Sequence, residues 1–267
     1  MEGAIALNAA TSNGFIQKAA LVGGLLLTCA LFACGGGGSD KGARSLPTAE
    51  SVRSLESFHY VASLSINEKR PGLSGKHVSV STEGDFQQPD RHAFTYTTTF
   101  GESAIARSAV LIGSEAWVRD GDAPWRSVAA DDPDLVNLVS SAFTSIRPNF
   151  LGGPEFDQAL GSIQRLPSTE DNVNGVVADH YVVGQEGQAF FRSFLSNEQF
   201  LQNVEDLSWE LWLARDGSWP VRLLATATIT GDNALGTALG LLPPTGWELR
   251  IDISRPNDPT LSVTAPQ

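Results

Sequence analysis

Histidine and cysteine side chains are among the groups of this chain that could ligate a metal or act as nucleophiles. Its four histidines are His59, His77, His92 and His180, and no two of them have the HxH or HExxH spacing of a zinc site. His180 follows Asp179, but adjacent residues of a strand point to opposite faces of a sheet, so they do not form a catalytic pair. Neither a G-x-S-x-G nucleophile motif nor a phosphate-binding loop occurs. We therefore expect a protein that is not an enzyme and that uses no metal and no cofactor.

The two cysteines, Cys29 and Cys34, both lie at the end of an apolar run that covers residues 19–33 and follows Lys18. This run of 15 residues is shorter than the ~20 that a membrane-spanning helix needs, and it has the form of a signal peptide. The sequence Leu31-Phe32-Ala33-Cys34 resembles the bacterial lipobox, which implies cleavage after Ala33 and a diacylglyceryl thioether on Cys34. Cys29 fits less well because Thr28 precedes it.

A glycine-rich segment, GGGGS at residues 35–39, follows Cys34 directly. Such a segment is flexible and suits a tether that holds a domain away from a membrane. It favours lipidation over the alternative, an uncleaved anchor helix. The sequence predicts three parts: a signal peptide at 1–33, the lipidated cysteine and tether at 34–46, and a single domain at 47–267. We expect an extracytoplasmic protein that is anchored by lipid to the cell membrane.

The net charge of the chain is −12, from 18 lysines and arginines against 30 aspartates and glutamates. Nucleic acid is therefore not an expected partner, because binding its phosphates requires a basic surface. The chain has no cysteine after Cys34, so the predicted domain contains no disulfide and no cysteine-based zinc site. Hydrophobic residues make up 42% of the chain, which indicates a globular protein.

Alternating apolar and polar residues dominate the predicted domain and indicate β-strands. Residues 58–66 (FHYVASLSI) and 92–100 (HAFTYTTTF) alternate in this way near its start. Residues 207–215 (LSWELWLAR) and 247–255 (WELRIDISR) do so near its end. The clean division between the two faces indicates an antiparallel sheet with one solvated face. We expect about nine to eleven strands.

A few segments have helical spacing instead. In residues 131–146, Leu135, Leu138 and Phe143 share one side, and the acids around Pro133 indicate the start of a helix rather than a calcium site. Short helices are also predicted near 47–57 and 154–160, and an aromatic-rich helix at 187–204.

The order of these pieces resembles a known family. A lipobox and a short helix are followed by SFHY (57–60), GDFQQPDR (84–91) and IGSEAWVRDGDAPW (112–125), then a helical middle and closing strands. Together they are similar to the mycobacterial-type lipoproteins LppX, LprA, LprF and LprG, which resemble the lipoprotein carriers LolA and LolB in fold. The resemblance covers residues about 47–255. It implies an α+β fold in which helices cap the concave, hydrophobic face of a curved antiparallel half-barrel.

The resemblance also implies a hydrophobic cavity that binds acyl chains, with lipid or lipoprotein transport in the cell envelope as the function. A sheet face rich in aromatic and aliphatic residues must be covered, either completely as a core or incompletely as a pocket. The candidate cavity residues are Phe58, Tyr60, Leu64, Phe94, Tyr96, Phe100, Trp117, Phe190, Phe194, Trp209, Leu211, Leu213, Trp247, Leu249 and Ile251. The expected partners are the membrane, an acyl-chain lipid or lipoprotein, and an envelope protein. The alternative is a non-catalytic protein-binding or signalling module of the same fold that holds no lipid.

Overall fold

The computed structural model describes residues 54–69, 76–141, 168–183, 203–217, 219–232 and 240–267. All of them belong to one compact unit that runs from Ser45 to Gln267. These residues form an open antiparallel sheet of eleven strands with one short helix. The predicted antiparallel sheet and its number of strands are confirmed. Cys34, the predicted signal peptide and the tether lie outside the described residues.

The strands are β1 (Ser57–Glu68), β2 (His77–Gln87), β3 (Arg91–Phe100), β4 (Ser103–Ile112), β5 (Glu115–Asp120), β6 (Arg126–Val128), β7 (Ser168–Val173), β8 (Val176–Val183), β9 (Val204–Ala214), β10 (Pro220–Ile229) and β11 (Thr245–Ser254). The described helix, α1 (Pro133–Ser141), follows β6 in the chain. Because α1 has nine residues, it is too short to cross a bilayer, and the described part of the chain has no longer helix that could do so.

The order of strands across the sheet is β6-β5-β4-β3-β2-β1-β11-β10-β9-β8-β7. The chain thus moves outward from the centre through β1 to β6, crosses to the opposite edge, and returns through β7 to β11. The first and last strands pair in the centre, with Tyr60 opposite Ile253 and Leu64 opposite Leu249. The connection between the two edges is residues 129–167, whose described part carries α1.

The pairing register separates the side chains into two faces, which we name the apolar face and the polar face. On the apolar face of β1 lie Phe58, Tyr60, Ala62, Leu64 and Ile66, as the alternation predicted. Unbroken rows cross the strands: Leu64 is opposite Val80 on β2, Val80 is opposite Thr98 on β3, and Thr98 is opposite Ile105 on β4. On the other side, Leu64 continues through Leu249 and Ala225 to Trp209.

The largest core cluster lies on the apolar face and includes Phe58, Phe94 and Trp209 together with Leu135 and Leu138 of α1. Both leucines are buried, which confirms the predicted helical spacing. The carboxylate of Asp132 accepts hydrogen bonds from the backbone nitrogens of Asp134 and Leu135, at 2.9 and 3.3 Å. Asp132 therefore caps the first turn of α1, the role in which an aspartate satisfies otherwise unpaired amides.

The prediction that several helices cap this face is supported by α1 alone among the described residues. The predicted helix at 154–160 and residues 187–202 of the predicted aromatic helix lie outside them. The predicted C-terminal end of the aromatic helix is wrong, because Asn203 is in a turn and Val204 begins β9. Of the predicted first helix, residues 54–56 form a turn and a bend before β1 begins at Ser57.

A glycine on the apolar face permits close packing in the centre of β2. A Cβ atom on Gly84 would lie 2.5 Å from the carbonyl oxygen of Ala93 and 2.8 Å from Cβ of Phe94. It would also lie 3.0 Å from the hydroxyl of Tyr60. The phenol and the Phe94 ring therefore occupy the space that a side chain at this position would need.

We expect Gly84→Ala to lower the free energy of unfolding by about 1–3 kcal/mol, because it overpacks the core. Replacing glycine by alanine in a strand usually stabilises a protein by about 0.5–1 kcal/mol. A loss of stability at this position would therefore indicate overpacking. Gly246→Ala is the matched control, since its Cβ would meet the far end of the exposed Lys69 side chain, which can move. Urea unfolding of both variants measures the difference. Equal effects of the two substitutions would contradict the proposed packing.

Candidate functional site

An open pocket of about 450 Å3 lies on the apolar face, over strands β1 to β4. Its described lining residues are Leu64, Ile66, Val78, Val80, Tyr96, Thr98, Phe100, Ile105 and Arg107. The alternation of β1 and β3 places Leu64, Ile66, Tyr96, Thr98 and Phe100 there, and the pairing register brings the others beside them. Adjacent strands lie about 4.8 Å apart, so a floor of four strands is about 14 Å wide.

The lining includes buried residues on β1 and β2 and exposed residues on β3 and β4. Ile66 and Val78 are 2% and 4% exposed and belong to a small core cluster with Trp247. Phe100 and Ile105, on β3 and β4, are 45% and 65% exposed. Large apolar side chains on the core face of a sheet are normally covered, so the described residues leave this end of the apolar face incompletely closed.

Three of the predicted cavity residues, Leu64, Tyr96 and Phe100, line this pocket. A larger group lies on the same face but is buried in the core: Phe58, Tyr60, Phe94, Trp209, Leu211, Leu213, Trp247, Leu249 and Ile251. Trp117 lies on the polar face, because the residues that flank it, Ala116 and Val118, are the buried ones of β5. Phe190 and Phe194 lie outside the described residues. The sheet therefore lies between Trp117 and the described members of the predicted set.

The sequence interpretation missed six lining residues: Ile66, Val78, Val80, Thr98, Ile105 and Arg107. The alternation already placed Ile66 and Thr98 on the correct face, although the candidate set did not include them. Val78 and Val80 alternate with serines in β2, and this short alternation also predicts that the two valines share a face. Arg107 has no apolar signature, and only its register with Tyr96 identifies its face.

A second pocket of about 450 Å3 lies on the polar face of β1 to β5, beneath Trp125. Nδ1 of His59 is 2.8 Å from a carboxylate oxygen of Asp85, and Nε2 is 3.7 Å from Glu83. On the other side of this pocket the guanidinium of Arg119 stacks over the Trp125 ring at 4.7 Å. The hydrogen bond with Asp85 raises the pKa of His59 above its ordinary value of 6.5, against the opposing effect of burial.

The other three histidines also have described partners. His92 is buried and its Nε2 lies 2.7 Å from the hydroxyl of Tyr60. His180 lies 2.7 Å from a Glu210 oxygen and stacks on Trp212 with a ring separation of 4.1 Å. Nδ1 of His77 lies 2.5 Å from the side-chain oxygen of Asn67. Within the described ranges, no group of three or more histidine, cysteine, aspartate or glutamate residues is arranged to hold a metal ion.

Comparisons with known proteins returned only distant structural similarities. No protein-family profile and no curated protein sequence matches this chain. A LolA-superfamily protein of Nitrosomonas europaea is 11% identical over 78% of this chain and 92% of its own, with a TM-score of 0.22. A putative outer membrane lipoprotein-sorting domain of Vibrio parahaemolyticus is 10% identical over 76% and 87%, with a TM-score of 0.20. A β-barrel-like protein of Brucella abortus, of a domain of unknown function, is 10% identical over 75% and 100%, with a TM-score of 0.18. At these TM-scores the similarities carry no argument about function.

We expect the His59–Asp85 contact to stabilise the fold most at mildly acidic pH. The pKa of His59 is raised on folding, so its contribution is fully present below about 6.5 and is lost as the pH rises through the folded-state pKa. The difference in unfolding free energy between wild type and His59→Gln should therefore shrink from about pH 5.5 to about pH 8.5.

Urea titrations at several pH values measure this difference. In an Asp85→Asn background the difference should lose most of its pH dependence, since the main cause of the raised pKa is removed. A difference that grows with pH would contradict the assignment.

Proposed function

We propose that this protein is a membrane-tethered lipoprotein outside the cytoplasm that binds an acyl chain in the apolar pocket and carries lipid or lipoprotein in the cell envelope. The proposal includes no catalytic step. The observation that carries it is the open pocket, of which the described lining is apolar except for Thr98, Arg107 and the hydroxyl of Tyr96.

The size and lining of the pocket support an apolar ligand. A volume of about 450 Å3 lies in the range of about 300–1,000 Å3 that small-molecule sites occupy. Its described lining includes five aliphatic residues and two aromatic residues. Burial of an acyl chain against them contributes roughly 0.8 kcal/mol for each methylene removed from water. A slender, flexible chain suits a trough along a sheet better than a bulky rigid ligand does.

The sequence around Cys34 supports the membrane tether. The predicted lipid modification places two acyl chains on this residue, and two chains are sufficient for stable anchoring. The described β1 begins at Ser57, so 22 residues separate it from Cys34. The predicted tether at residues 34–46 lies within this stretch and is rich in glycine. A flexible tether of this kind would keep the pocket close to the membrane while the domain reorients.

Native mass spectrometry of residues 35–267 tests the lipid-binding function. This fragment contains the whole compact unit that starts at Ser45. We expect a bound lipid at a defined stoichiometry after incubation with total lipid extract. Thr98→Phe should weaken binding by tenfold or more, because an aromatic ring in the centre of the floor fills the space for the chain.

Thr97→Phe is the matched control, because Thr97 is the neighbouring residue and lies on the polar face. Circular dichroism must show that both variants keep the fold. A protein that stays free of lipid in the wild type would overturn the proposal and favour the protein-binding module. Equal loss of binding in the two variants would place the ligand elsewhere.

We expect Cys34→Ala to abolish lipid attachment and to leave an uncleaved precursor. The thioether forms on the cysteine sulfur, and cleavage after Ala33 follows that modification in the pattern that the lipobox implies. Labelled palmitate and membrane fractionation in a bacterial host measure both effects. Cys29→Ala should behave as the wild type. Continued labelling of Cys34→Ala, or loss of labelling in Cys29→Ala, would contradict the assignment.

A further inference from the structure

Arg107 is the one charged residue among the described residues that line the apolar pocket. It lies in a cross-strand row of the apolar face beside Tyr96, which in turn is opposite Thr82. Its side chain is 29% exposed, so the guanidinium sits at the boundary between the apolar floor and solvent. A charged group in such a position is costly unless it is paired.

One hydrogen bond, from Nε of Arg107 to Asp120, holds the guanidinium in place. Nε donates to a carboxylate oxygen of Asp120 at 2.5 Å, and the two residues are directly opposite each other on β4 and β5. Asp120 is 67% exposed, so it draws the guanidinium toward the rim of the pocket. An arginine has five N–H donors in a planar fork, and among the described residues this single contact is the only one of its head group. The two terminal nitrogens therefore remain available for a second anion.

Charged groups of both signs lie at the ends of the strands that form the pocket floor. The chain has four lysines, and two of them, Lys69 and Lys76, lie at the ends of β1 and β2 that carry Ile66 and Val78. Their amino groups donate to neutral oxygens, those of Thr228 at 2.9 Å and Gly240 at 3.0 Å. Glu68 lies at the same end, where it accepts bonds from the backbone nitrogens of Lys76 and Leu242. Lys69 lies with Thr228 and Gly246 on the polar face, so it adds no positive charge to the pocket. Lys76 and Glu68 balance each other at this end of β1 and β2, and Arg107 is left as the charged group of the described lining.

We propose that the pocket selects single-chain anionic amphiphiles, with the chain on the apolar floor and the carboxylate or phosphate bound by the terminal nitrogens of Arg107. This inference rests on the proposed acyl-chain function and adds the class of headgroup. The bidentate geometry of arginine matches carboxylate and phosphate groups, and Asp120 positions its fork in advance. A volume of about 450 Å3 accommodates one chain more readily than two.

Three probes with the same chain test the proposal: dodecanoate, dodecyl phosphate and dodecanol. Each is titrated into residues 35–267 to displace a neutral hydrophobic fluorophore. We expect the two anions to bind about tenfold or more tightly than the alcohol, because hydrogen bonds to charged groups are the stronger ones. Arg107→Gln should remove this preference, so that the two anions and dodecanol bind to this variant with similar affinity. The relative affinities of the two anions distinguish a carboxylate from a phosphate headgroup.

Arg250→Gln is the matched control. Arg250 also donates from Nε to an aspartate at 2.5 Å, that of Asp252, but it lies on the polar face. It should keep the preference for anions. Equal affinity of wild type for the anions and the alcohol would overturn the headgroup assignment and leave the acyl-chain function intact. Failure of all three probes to bind would overturn the acyl-chain function itself.

Discussion

The pairing of the first strand with the last is the interaction on which the rest of the structure depends. β1 and β11 are hydrogen-bonded over ten residue pairs, from His59–Ser254 to Glu68–Thr245. Without this pairing the chain would be two separate meanders, β1 to β6 and β7 to β11, each with an additional open edge. The pairing unites their apolar faces, so that Leu64 and Ile66 of the first meander lie beside Leu249 and Trp247 of the second. Residues nearly two hundred positions apart in the chain thus share one core.

The same register explains why, among the described residues, the apolar face is closed at one end and open at the other. Toward the beginning of β1, cross-strand rows join Phe58 with Phe86 and Tyr60 with Gly84, and the space above Gly84 is occupied by Tyr60 and Phe94. Toward its end the rows pass through smaller side chains such as Val80 and Thr98. Aromatic rings therefore fill the first end, while valine and threonine leave a trough at the second. Ile105 and Phe100 border this trough with much of their surface exposed.

Alternation with a period of two was sufficient to predict the long strands and the faces of β1, β3 and β11, because each buries one side against a core. It missed β6 and β7, whose sequences RSV and STEDNV are almost entirely polar because they are edge strands with little to bury. Trp117 was also grouped with the cavity residues, although its smaller neighbours Ala116 and Val118 are the buried residues of β5. The pocket itself depends on register between four strands, and pairing between distant segments is not encoded in local periodicity.

In the proposed function, the apolar floor and Arg107 make different contributions to the binding free energy. About ten buried methylenes contribute about 8 kcal/mol at roughly 0.8 kcal/mol each. Association itself costs an estimated 4–15 kcal/mol in lost freedom, so the floor alone brings a medium-length chain only near the threshold of stable binding. At that margin one fixed hydrogen-bond donor decides which amphiphiles are retained, because a tenfold change in affinity requires only about 1.4 kcal/mol. In the proposed function, the apolar floor would then select for chain length, and a single arginine at its rim would be sufficient to select for headgroup charge.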